Sequence, residues 1–516
     1  GMHGGGGGGG GGGPLPSHQV PSDAYPGVDL VTEDAGMPVN DSGGIQAFVA
    51  ETVVDATGVA VVLSEEDEED MEKKRYMKRG LIAAAAIALL VVVISVPVAI
   101  TQVNKNQIEI QVVKPADPTP RPTPLPTASP TFSPTVALFP RIVQTLSPIS
   151  GQFLLQVGTP ANRALDWIAN RDGLQRDPSD PRFVQRFVAA VFYYATNGDG
   201  WRDCREGKAV CRDPKSDSYL SATDECLWFG NDCKEGMIFK IYQGTSIGNG
   251  LVGSIPSELA HLPALESLFL QNNRLRGTIP TELGRLTNFH TLVVTNNLLE
   301  GPFPDQILDN RLMGTIFIER NQFKGPIPTK FAEQANLQLL LAFENEFTGK
   351  VDPRFGSLTK LEALELGSNQ LTGTIPPAIA SSTSLENVAV DRNKLGGGIP
   401  EAIFGMPKLK QLNLTGNEFI GTIPRTIGNL GSELTTRQKK FVNLAGNRFS
   451  GSIPPVVGNI LDLKELTLHG NAFVGNMPAT ICALETSAAS QSFKLTRLTS
   501  DCAEVDCSCS DACECY

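Results

Sequence analysis

The sequence predicts an α/β repeat solenoid, a stack of short parallel-strand coils covered by a cap at each end. Three observations carry that reading. An asparagine returns every 24 residues through the second half of the chain in a constant leucine context. A helix-patterned segment precedes the first clear copy. All ten cysteines lie after residue 200, and they fall on either side of the repeats. Across the 516 residues the net charge is -12. That balance excludes a nucleic-acid surface, because phosphate binding needs a clustered Lys/Arg face that releases counterions.

The first element is a head, residues 1–79, glycine-rich from Gly4 to Gly13 and acidic from Glu65 to Asp70. Such composition cannot bury a core and is expected to be disordered. It has no room for a kinase domain, and no glycine loop with a downstream lysine or a His-Arg-Asp constellation occurs in the chain.

The second element, residues 80–101, holds twenty uncharged residues from Leu81 to Ile100. As a helix they would span roughly 30 Å, the thickness of a bilayer core. Pro97 near the end is tolerable there. Lys73, Lys74, Arg75, Lys78 and Arg79 precede the segment, whereas the first cation after it is Lys105. The positive-inside rule therefore predicts a single-pass plasma-membrane protein with a cytosolic N-terminus and its cysteines on the oxidising side. A stalk follows over 102–145, where Pro alternates with Thr and Ser between Pro115 and Pro140 and favours extended polyproline II.

The N-terminal cap is expected over 158–237. Its core is a helix from Pro181 to Thr196, with Asp180 as N-cap, Asn197-Gly198 as its stop, and Phe183, Phe187 and Val191 on one face.

The repeats occupy 238–481. Leu265, Leu268, Leu270, Asn273, Leu275, Gly277, Ile279 and Pro280 define LxxLxLxxNxLxGxIP. The asparagine returns at Asn297, Asn321, Asn345, Asn369, Asn393, Asn417, Asn447 and Asn471, the last two after a six-residue insertion, and an irregular copy surrounds Asn249. That makes ten coils. Alternating leucines point one way from a short strand, so each coil buries its row against the next. The asparagine amide can satisfy backbone groups in a tight buried bend. Glycine permits the left-handed backbone that the second strand needs, and Pro closes it. The coil of Asn345 departs from the pattern with Val351-Asp352.

On these motifs the chain resembles the plant-type leucine-rich-repeat family, which occurs in receptor-like proteins and receptor kinases; the resemblance covers roughly residues 160–516. It implies a right-handed superhelix with a parallel sheet on the concave side and the GxIP segments on a second sheet. It also implies that CLWFGNDC belongs to a cysteine-bearing cap, with Cys204 joined to Cys211 and Cys226 to Cys233. The other cap, 482–516, carries Cys482, Cys502, Cys507, Cys509, Cys513 and Cys515, whose fifteen pairings spacing alone leaves open. A zinc cluster is the rival reading of their CxC and CxxxC spacings; the oxidising topology favours disulfides and no metal.

Ten strands at roughly 4.8 Å would make a concave face about 45 Å long, suited to a protein, peptide or glycan. The positions between paired strand leucines read Phe269, Val293, Phe317, Leu341, Glu365, Ala389, Asn413, Asn443 and Thr467. The first four, with Leu339 and Phe343, are expected to form an exposed apolar binding stripe rimmed by Glu319, Arg320 and Glu344. A second column, Glu362, Glu386, Lys410, Lys440 and Lys464, changes sign along the face. Asn413-Leu-Thr415 is a glycosylation sequon on the same face.

The expected function is that of a receptor-like or adhesion protein that recognises an extracellular partner and acts through a co-receptor or signalling partner. An inhibitor of secreted hydrolases, a role known in this family, and a surface scaffold are the alternatives. Catalysis and a cofactor are not expected, because His261, His290 and His469 fall in separate coils without a supporting nucleophile.

Overall fold

The computed structural model describes residues 53–54, 60–61, 138–207, 211–434, 438–486, 495–502, 505–507 and 513–516. Contacts divide the chain into one unit of residues 1–53 and 61–108 and another of 54–60 and 109–516. Before residue 138 the described residues form only the short strands Val53–Val54 and Ala60–Val61. The head, the apolar segment 81–100 and most of the stalk thus lie outside the described residues. Among those residues no helix is long and apolar enough to cross a membrane.

The N-terminal cap begins earlier than its composition suggests. Helix α1 covers Leu138–Ser150 and buries Ile142 and Leu146, so the boundaries at 145 and 158 both give way to a cap that starts at 138. Proline and serine in LFPRIVQTLSPIS mask the i, i+4 spacing of its apolar residues. Helix α2, Pro160–Asn170, starts at Thr159, whose Oγ1 accepts from Asn162 N at 3.1 Å. Helix α3 covers Arg182–Ala195 and buries Phe183, Phe187 and Val191 as expected. Asp180 caps it through Arg182 N, and Asn197 leaves it in the left-handed region.

From there the chain builds one thirteen-stranded sheet. An antiparallel strand, Asn231–Lys234, edges it; Met237–Tyr242 follows, and one strand per coil adds in parallel up to Leu463–Thr467. Arg497–Ser500 and Cys513–Cys515 extend it into the C-terminal cap. Behind it the N-x-L-x-G segments form two five-stranded runs. The runs meet at the coil of Asn345, where Gln370 N still donates to Phe347 O and Thr372 N to Gly349 O. Gly277 at φ +75° and Gly373 at +89° show why only glycine fits that bend. Asp352, standing where most coils have proline, accepts from Arg354 N at 2.8 Å and so caps the next turn by other means.

The asparagine ladder is complete in chemistry. Asn297 Nδ2 donates to Leu270 O, Val294 O and Thr295 O, and its Oδ1 accepts from Leu275 N at 3.0 Å. Asn369, Asn393 and Asn417 repeat the arrangement. Each amide thus joins two coils.

Both expected N-cap disulfides, Cys204–Cys211 and Cys226–Cys233, are present. At the other end Cys502 pairs with Cys515 and Cys507 with Cys513, while Cys482 is also disulfide-bonded. Cys509 lies outside the described residues. The sulfurs of Cys502, Cys507 and Cys513 lie within 4.8 Å of one another, yet each belongs to a disulfide and none is a thiolate ligand.

Candidate recognition face of the long sheet

Strand register sorts the outward side chains into three rows. The first runs Ser267, Thr291, Thr315, Leu339, Ala363, Asn387 and Gln411, and the second Phe269, Val293, Phe317, Leu341, Glu365, Ala389 and Asn413. Two residues on, at the strand ends, a third row holds Gln271, Thr295, Glu319, Phe343, Gly367, Asp391 and Thr415.

Phe269, Val293, Phe317, Leu339 and Ala363 form an apolar cluster separate from the main core, with Tyr242 and Leu341 packed against it. The stripe exists, but it is not exposed. Phe269 is 2% and Phe317 7% accessible; Leu341 and Phe343 are half-buried. The cause is self-coverage. Strands this close press each side chain against its neighbours a coil away: the Tyr242 and Phe269 rings lie 5.9 Å apart, and Lys240 Nζ sits 5.4 Å from the Phe269 centroid.

The expected rim divides in two. Arg320 and Glu344, both at turn positions with φ near +55°, form an ion pair at 3.4 Å, and the Arg320 guanidinium lies 5.8 Å from the Phe343 ring. Glu319 is not part of that rim. It sits in the third row, 3% accessible, and accepts from Thr295 Oγ1 at 2.8 Å through one oxygen while its Oε2 has no partner. Burial pushes its carboxyl up to about 8, and the charge of Glu365 adds to the shift. Glu365 is itself 7% accessible, pushed up to about 7 by burial, with a contribution from Asp391. Burial also raises Asp391, against the opposing pull of Arg392.

Gly367 shapes this corner. A Cβ there would stand 2.4 Å from Asp391 Oδ1, so the Asp391 carboxylate takes the space that a side chain at 367 would need. Phe343 and Asp391 are the neighbours of Gly367 in this row.

The column of alternating sign does not form a free charged stripe. Lys410 is paired with Glu386 at 2.6 Å. Lys440 is 2% accessible and donates to Leu430 O and Gly431 O at 3.0 Å each, clipping the base of the insertion; burial lowers its pKa. Lys464 is buried as well. The sequon also reads differently in the fold. Asn413 is 3% accessible, and its Oδ1 accepts from Thr415 N at 3.2 Å, so a glycan on this amide has no room in the folded coil.

Sequence reasoning passed over Asp391 and gave Glu365 no role. Reading the third row as a column would have placed Asp391 one coil from Gly367 and Glu319 two coils from it. A cavity of about 470 Å³ beside Trp201, Arg202, Arg205 and Glu206 lies in the N-terminal cap, away from this face.

A family model described as Leucine Rich Repeat matches residues 264–286, 360–382 and 408–430. In those segments the coils are leucine-rich repeats. A plant ice-binding protein is similar in fold at 23% identity and a TM-score of 0.50, over 64% of this chain and 97% of that one. The plant peptide hormone receptor RGFR1 in complex with RGF2 shares 28% identity over 49% of this leucine-rich-repeat chain, at a TM-score of 0.43. The ectodomain of the membrane receptor kinase GASSHO1/SCHENGEN3 from Arabidopsis thaliana, in complex with Casparian strip integrity factor 2, shares 24% over 59%, at 0.47. The chain spans 42% and 40% of the lengths of those two receptors. No curated protein matches it.

Proposed function

We propose that this leucine-rich-repeat chain is a receptor-like recognition protein. In this reading residues 81–100 anchor it in the plasma membrane with the repeats outside the cell. The long sheet, the concave side of such a solenoid, binds an extracellular protein or peptide, and a membrane partner relays the event. Its work is recognition rather than catalysis.

The observation that carries the reading is the character of the sheet face between the coils of Asn273 and Asn393. An apolar row there runs into the buried carboxylates of Glu319 and Glu365, neither of them in an ion pair among the described residues, beside the half-buried Phe343 and the Arg320–Glu344 pair. Architecture alone does not call for such a surface. The absence of any free cysteine among the described residues suits an oxidising compartment.

The test has two arms. Protease treatment of intact cells is expected to release a fragment beginning in the 115–140 stalk; an ectodomain that survives it contradicts the topology. The full-length chain is expected to capture an extracellular partner that a Phe343→Asp, Arg320→Glu variant binds at least tenfold more weakly. A correctly folded variant that retains every interaction would remove the face from the account.

A further inference from the structure

We propose that the loop between α1 and α2, residues 151–159, is a lipid-docking tip. Its Phe153, Leu155 and Val157 enter the boundary between headgroups and acyl chains in the outer leaflet and lay the N-terminal cap against the membrane. This rests on the reading of residues 81–100 as an anchor and adds how the anchored solenoid is held.

Three large apolar side chains within five residues face water here. Val157 is 90% exposed, the most of any large apolar residue among those described, and Phe153 and Leu155 are each more than half exposed. Scattered single apolar residues are ordinary on a surface, whereas three on one short loop mark a contact. The loop stands clear of the cap: a Cβ added at Gly151 or Gly158, which bracket it, would meet nothing within 4 Å. From Ile142 to Asn162 no residue is charged, in a chain that is 19% charged, and Arg141 and Arg163 close the stretch at either end.

The backbone of the loop is prepared to leave water. Thr159 Oγ1 reaches Phe153 O at 2.6 Å and Gln156 O at 2.9 Å, Thr159 N donates to Gln156 O, and Asn162 Nδ2 donates to Leu154 O at 3.2 Å. The carbonyls of Phe153, Leu154 and Gln156 thus have partners within the protein, and unmet carbonyls are what bars a loop from lipid. Leu154, fully buried, pins the loop to the core. A loop fixed in this way loses little conformational entropy on docking.

The same features select lipid over a protein partner. A protein would need a pocket matched to three points on a projecting tip, bordered by a polar rim, whereas a bilayer deforms around the tip and favours an uncharged apex. The chain also leads there. Residues 101–137 alone separate the apolar segment from α1, a reach of at most about 130 Å. An anchored chain therefore holds the tip at high local concentration over its own bilayer, where weak insertion suffices.

The test reconstitutes the full-length chain into phosphatidylcholine vesicles with and without bromine on the acyl chains. The fluorescence of Val157→Trp is read against that of the unaltered chain, whose Trp167, Trp201 and Trp228 are buried. The added signal should be blue-shifted and at least twofold weaker in the brominated bilayer. Leu461→Trp, exposed at the other end of the repeats, should lose less than a tenth of its signal and controls for the affinity of tryptophan itself for the interface. Adding Leu155→Asp should abolish the quenching at 157, with thermal unfolding to check that each variant is folded. Equal intensity of Val157→Trp in the two bilayers, equal quenching at 461, or quenching that survives Leu155→Asp would overturn the proposal. A blue-shifted but unquenched Val157→Trp in a chain that cross-links as a dimer would do the same, and would give the tip to a second copy. The two readings fail separately. A chain that resists alkaline carbonate extraction without quenching at 157 keeps the anchor and refutes the tip; quenching at 157 in a chain that carbonate strips from the vesicles keeps the tip and refutes the anchor.

Discussion

The N-terminal cap and the face of the long sheet both bury carboxylates, and they treat the charge in opposite ways. In the cap, Arg186 is fully buried and holds both oxygens of Asp172 at 2.6 and 2.7 Å, reaches Glu225 at 3.2 Å, and donates to Ser221 O and Thr223 O. Its guanidinium lies 4.7 Å from the Trp228 ring and 5.2 Å from Trp167. Arg176 and Gln185 complete the coordination of Glu225. On the sheet, Glu319 and Glu365 are buried with no ion pair among the described residues, and Asp391 is half-buried next to Arg392. Burying an unpaired charge costs free energy that packing has to offset, whereas a paired network sits near neutrality in the balance. The cap therefore reads as architecture, and the sheet face is where the proposed recognition surface lies.

Breaking the cap should have the largest effect. Arg186→Leu leaves Asp172 and Glu225 buried and unpaired and should destabilise the chain by about 4 kcal/mol in urea unfolding; a loss near zero would mean the network is not what holds the cap. Next comes the ladder. Asn369→Leu strands Ala342 O, Leu366 O, Gly367 O and Phe347 N, for a cost of about 3 kcal/mol.

The sheet acids should show in the pH dependence. Glu319 and Glu365 have folded pKa values above the ordinary 4.5, so the folded state binds more protons than the unfolded one between about 4.5 and 8. Their contribution to stability is fully present below that window and is lost as pH rises through it. Glu319→Gln should flatten the slope and leave the variant more stable at pH 9 by about 2 kcal/mol; an unchanged slope would mean the carboxyl is solvated. The smallest effect belongs to the apolar row. Phe317→Leu, which keeps most of the apolar volume packed against the neighbouring coils, should cost about 1 kcal/mol, read as a small shift in the same unfolding midpoint.

What the sequence shows clearly is whatever repeats or acts locally. The ladder asparagines, the GxIP bend, the α3 helix with its Asp180 cap and the two short-range N-cap disulfides all follow from residues close together or in strict phase. What it hides is set between coils. Phe269 and Phe317 look exposed along the chain because each is flanked by residues of the other face, yet their neighbours 24 residues away cover them. Lys440 looks like a surface cation until the insertion folds back and gives it two carbonyls. Asp391 leans over Gly367 only because that position, 24 residues back in the chain, lacks a side chain. Helix α1 was hidden by prolines that its packing tolerates.

The most direct measurement of the central claim, that the sheet face buries carboxylates without a counter-charge, is a carbon-13 carboxyl titration of glutamate-labelled protein, assigned with Glu319→Gln and Glu365→Gln. The account predicts midpoints of about 8 for Glu319 and about 7 for Glu365. Midpoints near 4.5 for both, the value of an ordinary solvated glutamate, would contradict it.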